Sequence, residues 1–182
     1  MICSNAGSND DWNAIDPNFA LDEQGAPCLL FGSFWSGIKL IALDAAGQRK
    51  GSELIAIAAR TANSRAIEAP YVVRRCGYVY LFVSFDACCK GADSTYKIMV
   101  GRSGSLRGPY TDRTGMPLLR GAGTLLVQGD ATWKGPGHNA VIRTAAGWFN
   151  AYHAYAASNG SPNLRISELV WDSDGWPISA GP

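Results

Sequence analysis

Asp16, Glu68 and His138 occupy the same place in three similar stretches of the chain, each nine residues ahead of a turn glycine: Gly25, Gly77 and Gly147. Two carboxylates and an imidazole are side chains that exchange protons between mildly acidic and neutral pH. A carboxylate pair brought to one place suits a bond whose leaving group must be protonated as water attacks, and glycoside hydrolysis is the natural candidate. Neither a Ser-His-Asp arrangement nor a glycine-rich phosphate loop points elsewhere. Glu68 sits between Ile67 and Ala69-Pro70, apolar neighbours of the kind that favour the protonated form a general acid needs. A like charge at Asp16 would act in the same direction, and the proline after it stiffens the approach to its strand. His138, within Gly135-Pro136-Gly137-His138-Asn139, is a candidate ligand for a metal ion or a water; the alternative is a histidine hydrogen-bonded inside the fold.

The elements that would position these groups repeat. Ala14-Ile15-Asp16-Pro17-Asn18-Phe19 leads to Gly25 and the apolar run Leu29 to Phe34; Ala66-Ile67-Glu68-Ala69-Pro70-Tyr71 leads to Gly77 and Tyr80 to Phe85. A weaker third unit runs from Gly137 through Gly147 to Trp148–His153. A further apolar run follows each, at 37–43, 97–100 and 165–170. Each unit therefore makes a small antiparallel sheet, and starts 52 and 70 residues apart fit the blades of a β-propeller. A β-sandwich would not require one polar position at the head of every unit. In a propeller the first strand of each blade lines the axis, so Asp16, Glu68 and His138 converge on one hollow. The expectation is an all-β chain of about three four-stranded blades over residues 1–182, one partial propeller.

Charge and composition narrow the partners. Lys and Arg number 16 against 15 Asp and Glu, which leaves no field that would gather nucleic acid or an anionic membrane surface. No window approaches the roughly 18 apolar residues of a membrane span, and Met1-Ile2-Cys3-Ser4-Asn5 has no signal-peptide character, so no export signal is expected in the chain as written. Five cysteines lack the paired spacing of a zinc site. Cys88 and Cys89 either bond to one another or remain partly buried thiols. Flat apolar rings beside polar groups suit sugars, as in Ser33-Phe34-Trp35-Ser36-Gly37; Trp12 and Trp133 are further candidates, against packing between blades.

At these residues the sequence resembles glycoside hydrolase family 43, and within it the endo-1,5-α-L-arabinanases. The resemblance rests on Trp12-Asn13-Ala14-Ile15-Asp16-Pro17, Gly32-Ser33-Phe34-Trp35-Ser36-Gly37-Ile38, Ala66-Ile67-Glu68-Ala69-Pro70-Tyr71, Asp93-Ser94-Thr95-Tyr96-Lys97, Val100-Gly101-Arg102-Ser103 and Gly135-Pro136-Gly137-His138, and covers nearly the whole chain. It implies a five-bladed propeller that cleaves α-1,5-linked arabinofuranose polymers with inversion. By that resemblance Glu68 is the general acid, Asp16 tunes it and orients substrate, and His138 helps hold a calcium ion or water in the central channel. Asn13, Ser33, Phe34 and Trp35 are the expected sugar contacts. Family members are often secreted.

The resemblance also implies a third carboxylate, the general base, near the start of the first blade, and that segment has no counterpart here. Trp171 to Pro177 resembles the end of the catalytic domain, so the expected loss is N-terminal. Asp10 and Asp11 lie in a polar run and are not expected to substitute. Without a base about 6.5–9.5 Å from the acid, inverting hydrolysis loses most of its rate. Two blade faces would be left open, which predicts self-association or a complementing propeller segment. The alternative to an enzyme is a noncatalytic or vestigial arabinan-binding fragment; a xylan-active relative is a third reading.

Overall fold

The computed structural model describes residues 2–4 and 11–182. Its strands form three four-stranded antiparallel sheets, each in sequence order. The first holds β1 (Asn18–Leu21), β2 (Pro27–Phe31), β3 (Ile38–Ala42) and β4 (Ile55–Ala58). The second holds β5 (Ile67–Arg75), β6 (Tyr78–Phe85), β7 (Lys97–Ser103) and β8 (Thr124–Gln128). The third holds β9 (Trp133–Thr144), β10 (Gly147–Ala156), β11 (Pro162–Trp171) and β12 (Pro177–Ser179). Of the acidic pair ahead of β1, Asp10 lies outside the described residues and Asp11 is exposed.

A turn signal absent from the repeat reading closes several of these hairpins. Asp22, Asp44, Asp112 and Asp172 each precede a glycine by three residues, and each carboxylate accepts the backbone N–H groups two and four residues on, at 2.8–3.0 Å. The Asp-x-x-Gly turn thus satisfies its own donors, and Gly25, Gly47, Gly115 and Gly175 take the positive φ that ends it.

The middle sheet is covered on both faces. Val79, Leu81, Val83 and Phe85 of β6 pack with Leu30, Ile38 and Leu40 of the first sheet. Tyr80 and Phe82, pointing the other way, pack with Val141, Tyr152 and Leu169 of the third. That is why β6 is a continuous apolar run and not an alternating one: both sides of its pleat are interior. Each such side chain contributes about 1.5–3 kcal/mol on burial. The outer faces differ. On the third sheet Leu164 is 75% exposed and Ile166 61%, and on the first Phe19 is 59% exposed. Strand β5 packs against β1 on one side and β9 on the other, which places the three first strands together at the inner edge.

Candidate active site

Glu68 is the second residue of β5, paired across the ladder with Ser84 and bridged on its other side to Ser33. Both carboxylate oxygens are held: Ser33 Oγ donates to Oε2 at 2.7 Å and the Tyr96 hydroxyl donates to Oε1 at 2.6 Å. The apolar sequence neighbours of Glu68 are buried, but the carboxylate itself meets two hydroxyls, because successive strand residues point to opposite faces. The ladder slips between Glu68 and Tyr71, with Ala69 at φ 54°. Such a bulge re-aims the backbone, and here the Ala69 N–H donates to Asp16 Oδ2 at 3.0 Å.

Asp16, at φ 56°, stands two residues ahead of β1 and reaches across to β5 through that bond. Burial pushes its carboxyl above the ordinary range; His138 and the Ala69 N–H oppose this, and the nearby charge of Glu68 adds to it. His138, at φ 50°, is exposed at the inner edge, and its backbone N–H donates to Ser84 Oγ at 2.9 Å. The three residues therefore meet, although His138 is the sixth residue of β9 and not its head, because β9 begins earlier than the repeat suggested: Asp16 feels both Glu68 and His138. Left-handed backbone at Asp16, Ala69 and His138 is the kind of strain that accumulates where side-chain placement outweighs backbone comfort.

Two further residues complete the cluster. Tyr96 is 1% exposed and wedged between Gly137, where a Cβ would fall 1.9 Å from the Tyr96 ring, and the imidazole of His153, stacked at 5.7 Å between centroids. Burial, with the charge of Glu68 behind it, drives the phenol far above its ordinary value, so Tyr96 keeps its proton. His153 is shifted the opposite way, first by burial and then by His138, and its Nε2 is buried without a hydrogen-bond partner. Sequence reasoning placed neither in the site.

The expected sugar contacts separate. Ser33 is 3% exposed with its hydroxyl on Glu68, which fixes the carboxyl from the side of blade one. Phe34 is half-buried and Trp35 exposed, both with left-handed backbone at the end of blade one. Asn13 is half-buried three residues ahead of Asp16, and its carbonyl accepts the Ile15 N–H at 3.0 Å. Trp133 lies under the Arg165 guanidinium at 4.2 Å and packs against the core shared by blades two and three. Trp12 donates its indole N–H to the Cys3 carbonyl. Cys88 and Cys89 are bonded to each other.

Calcium takes six to eight oxygens, and among the described residues no group of three or more His, Cys, Asp or Glu gathers to hold an ion. His138 offers a single ring nitrogen, and no step below runs through a metal.

Three blades presenting a hydrogen-bonded carboxyl, a second carboxylate and an imidazole at one inner edge define a propeller with a candidate acid–base site. The chain belongs to the glycosyl hydrolases family 43, whose model matches residues 4–177. It is 49% identical over 171 residues to the extracellular endo-alpha-(1->5)-L-arabinanase 1 of Bacillus subtilis (strain 168), covering 93% of this chain and 52% of the relative. The extracellular exo-alpha-(1->5)-L-arabinofuranosidase ArbA of Cellvibrio japonicus (strain Ueda107) is 39% identical over 97% of this chain and 54% of its own length. Among solved structures, a GH43 endo-arabinanase from Bacillus licheniformis superposes with a TM-score of 0.87 at 51% identity, over 94% of this chain and 58% of that one. The fold is that of the five-bladed propeller type, here with three blades. The chain spans about half the length of the relatives it matches.

Proposed function

We propose that this chain is the acid-bearing portion of an arabinan hydrolase that cleaves α-1,5-linked arabinofuranosyl polymer with inversion. The observation that carries the reading is the Glu68 carboxyl, fixed by Ser33 and Tyr96 and flanked by Asp16. Two hydroxyls set the plane of the carboxyl group, which is what a proton donor to a glycosidic oxygen requires. Asp16 lies within electrostatic reach of Glu68, whose charge adds to the upward shift of the Asp16 carboxyl. The similarity to proteins named as arabinanases, and to a Cellvibrio cellulosa arabinanase solved with arabinohexaose, supports arabinan as the substrate. The extracellular relatives support a site of action outside the cell, where a Cys88–Cys89 bond persists.

Inversion needs a base on the opposite face of the sugar; the resemblance puts that base in a segment without a counterpart here, so hydrolysis by this chain alone is expected to be weak. His138 would orient water or sugar hydroxyls at the inner edge. The test is release of arabino-oligosaccharides from linear arabinan, run beside binding to the same polymer. Glu68→Gln abolishes release and leaves binding within about two-fold. Binding without any release by the parent chain favours the noncatalytic alternative, and absence of both refutes the arabinan reading.

A further inference from the structure

Strand β5 starts beside the acid–base cluster and ends at Arg75. At about 3.3 Å per residue, the path from Glu68 to Arg75 carries the chain roughly 20 Å, to the opposite end of the propeller. There the β5–β6, β9–β10 and β11–β12 hairpins bring a row of rings into the seam between blades two and three. Tyr78 and Tyr80 stand 6.3 Å apart between centroids, Tyr80 and Trp171 4.7 Å, and Trp171 and Trp148 5.7 Å.

Three arginines lie over these rings. Arg102 covers Tyr78 and Trp176, both at 4.5 Å, while Arg75 covers Trp171 at 4.7 Å and Arg143 covers Trp148 at 5.3 Å. Stacking occupies the face of a guanidinium and leaves its N–H edge free to donate. Arg102 spends that edge inside the fold, on the Asp174 carbonyl at 2.7 Å. Asp172 and Asp174 are taken by Arg113. Arg75 and Arg143 are different: among the described residues neither has an ion pair or a side-chain hydrogen bond, although both are fixed over indoles. Beneath Arg75 the Trp171 Nε1 is also buried without an acceptor.

Planar donor edges call for an acceptor of matching shape, and a carboxylate offers two coplanar oxygens. The carbon surface beside them suits a ring: Tyr78 is 41% exposed, and Trp148 and Trp171 are half-buried. An acidic peptide would satisfy the arginines and leave that surface to water. A phosphate polymer finds no general attraction in a chain with 16 Lys and Arg against 15 Asp and Glu. We propose that this seam is a second polysaccharide site that holds hexuronate units, with Arg75 and Arg143 pairing their carboxylates and Tyr78 and Trp148 carrying the sugar rings. The site stands whether or not the arabinan reading holds, because none of its residues belongs to the Glu68 edge.

The probe is a fluorophore-labelled galacturonate pentamer, titrated with the parent chain and read by anisotropy. Saturable binding that weakens as salt rises is expected. Arg75→Gln combined with Arg143→Gln is expected to raise Kd about ten-fold or more, while Arg107→Gln, at the exposed arginine paired with Glu53, changes it by less than about two-fold. Arg75→Lys combined with Arg143→Lys keeps both charges and gives up the planar edge, so a rise of about three-fold or more is expected; this pair decides the matter if the glutamine pair loses its cooperative thermal transition. No saturable binding by the parent, or an equal loss in Arg107→Gln, overturns the site. An unchanged Kd in either folded double variant overturns the arginine assignment. Polyglutamate of equal charge displacing the label as well as unlabelled pentamer does overturns the sugar assignment, and maltopentaose doing so overturns the role of the carboxylates.

Discussion

Gly137→Ala asks whether Tyr96 is held as tightly as its contacts imply. Gly137 precedes His138 on β9, and a methyl at its Cα would lie 1.9 Å from Tyr96 Cδ1, 2.2 Å from Cε1 and 2.8 Å from Cγ. The ring has nowhere to retreat: it is 1% exposed, with His153 stacked on it and its hydroxyl on Glu68. Overpacking by one methyl costs about 1–3 kcal/mol. Displacing the ring also weakens a hydrogen bond to a carboxylate, a contact contributing about 1.5–3 kcal/mol. The expected loss is therefore about 2.5–6 kcal/mol in unfolding free energy if the hydrogen bond is lost with the overpacking, read from denaturant midpoints at unchanged slope. The sign is the diagnostic. Where alanine fits without a clash, Gly→Ala stabilises by about 0.4–1 kcal/mol through the unfolded chain. In a Tyr96→Ala background the methyl enters the space the ring vacates, and the penalty falls below about 1 kcal/mol. A Gly137→Ala chain as stable as the parent would refute the view that Tyr96 is an immobile strut between blade three and the acid.

Two further outcomes follow from charge and exposure. Burial tends to raise the Asp86 carboxyl, but hydrogen bonds from Lys97 and Asn63 and the charge of Arg60 outweigh it and hold it below the ordinary value of 3.8. A depressed carboxylate stabilises the fold fully above that value and ceases to as pH falls through and below it. Asp86→Asn, which leaves Arg60 unpaired at 10% side-chain exposure, is expected to cost about 3–5 kcal/mol at pH 7. That gap should narrow in acid, and urea midpoints from pH 7 to 3 check it. The apolar rows containing Phe19 and Leu21 on blade one and Leu164 and Ile166 on blade three face water, so the chain is expected to self-associate or to take up a complementing propeller segment. Light scattering at several concentrations reads this directly, and a monomer at all of them would contradict it.

The repeat carried most of the architecture in one dimension. Polar residues at Asp16, Glu68 and His138, turn glycines nine residues on and apolar runs behind them are local signals, because pleat and turn conformations follow from near neighbours, though β9 starts five residues ahead of His138. The short fourth strands were less legible: β4 has four residues and β12 three, too few to show alternation. How the acid is held was decided by tertiary structure alone. Ser33, Tyr96 and Asp16 reach Glu68 or its neighbour across 35, 28 and 53 residues of sequence, and no periodicity links them. The row of rings and arginines at the other end is likewise assembled from 75–80, 143–148 and 171–176, which belong to separate hairpins of the chain. A residue's own neighbours determine whether it extends or turns; what its side chain touches is determined by which blade packs beside it.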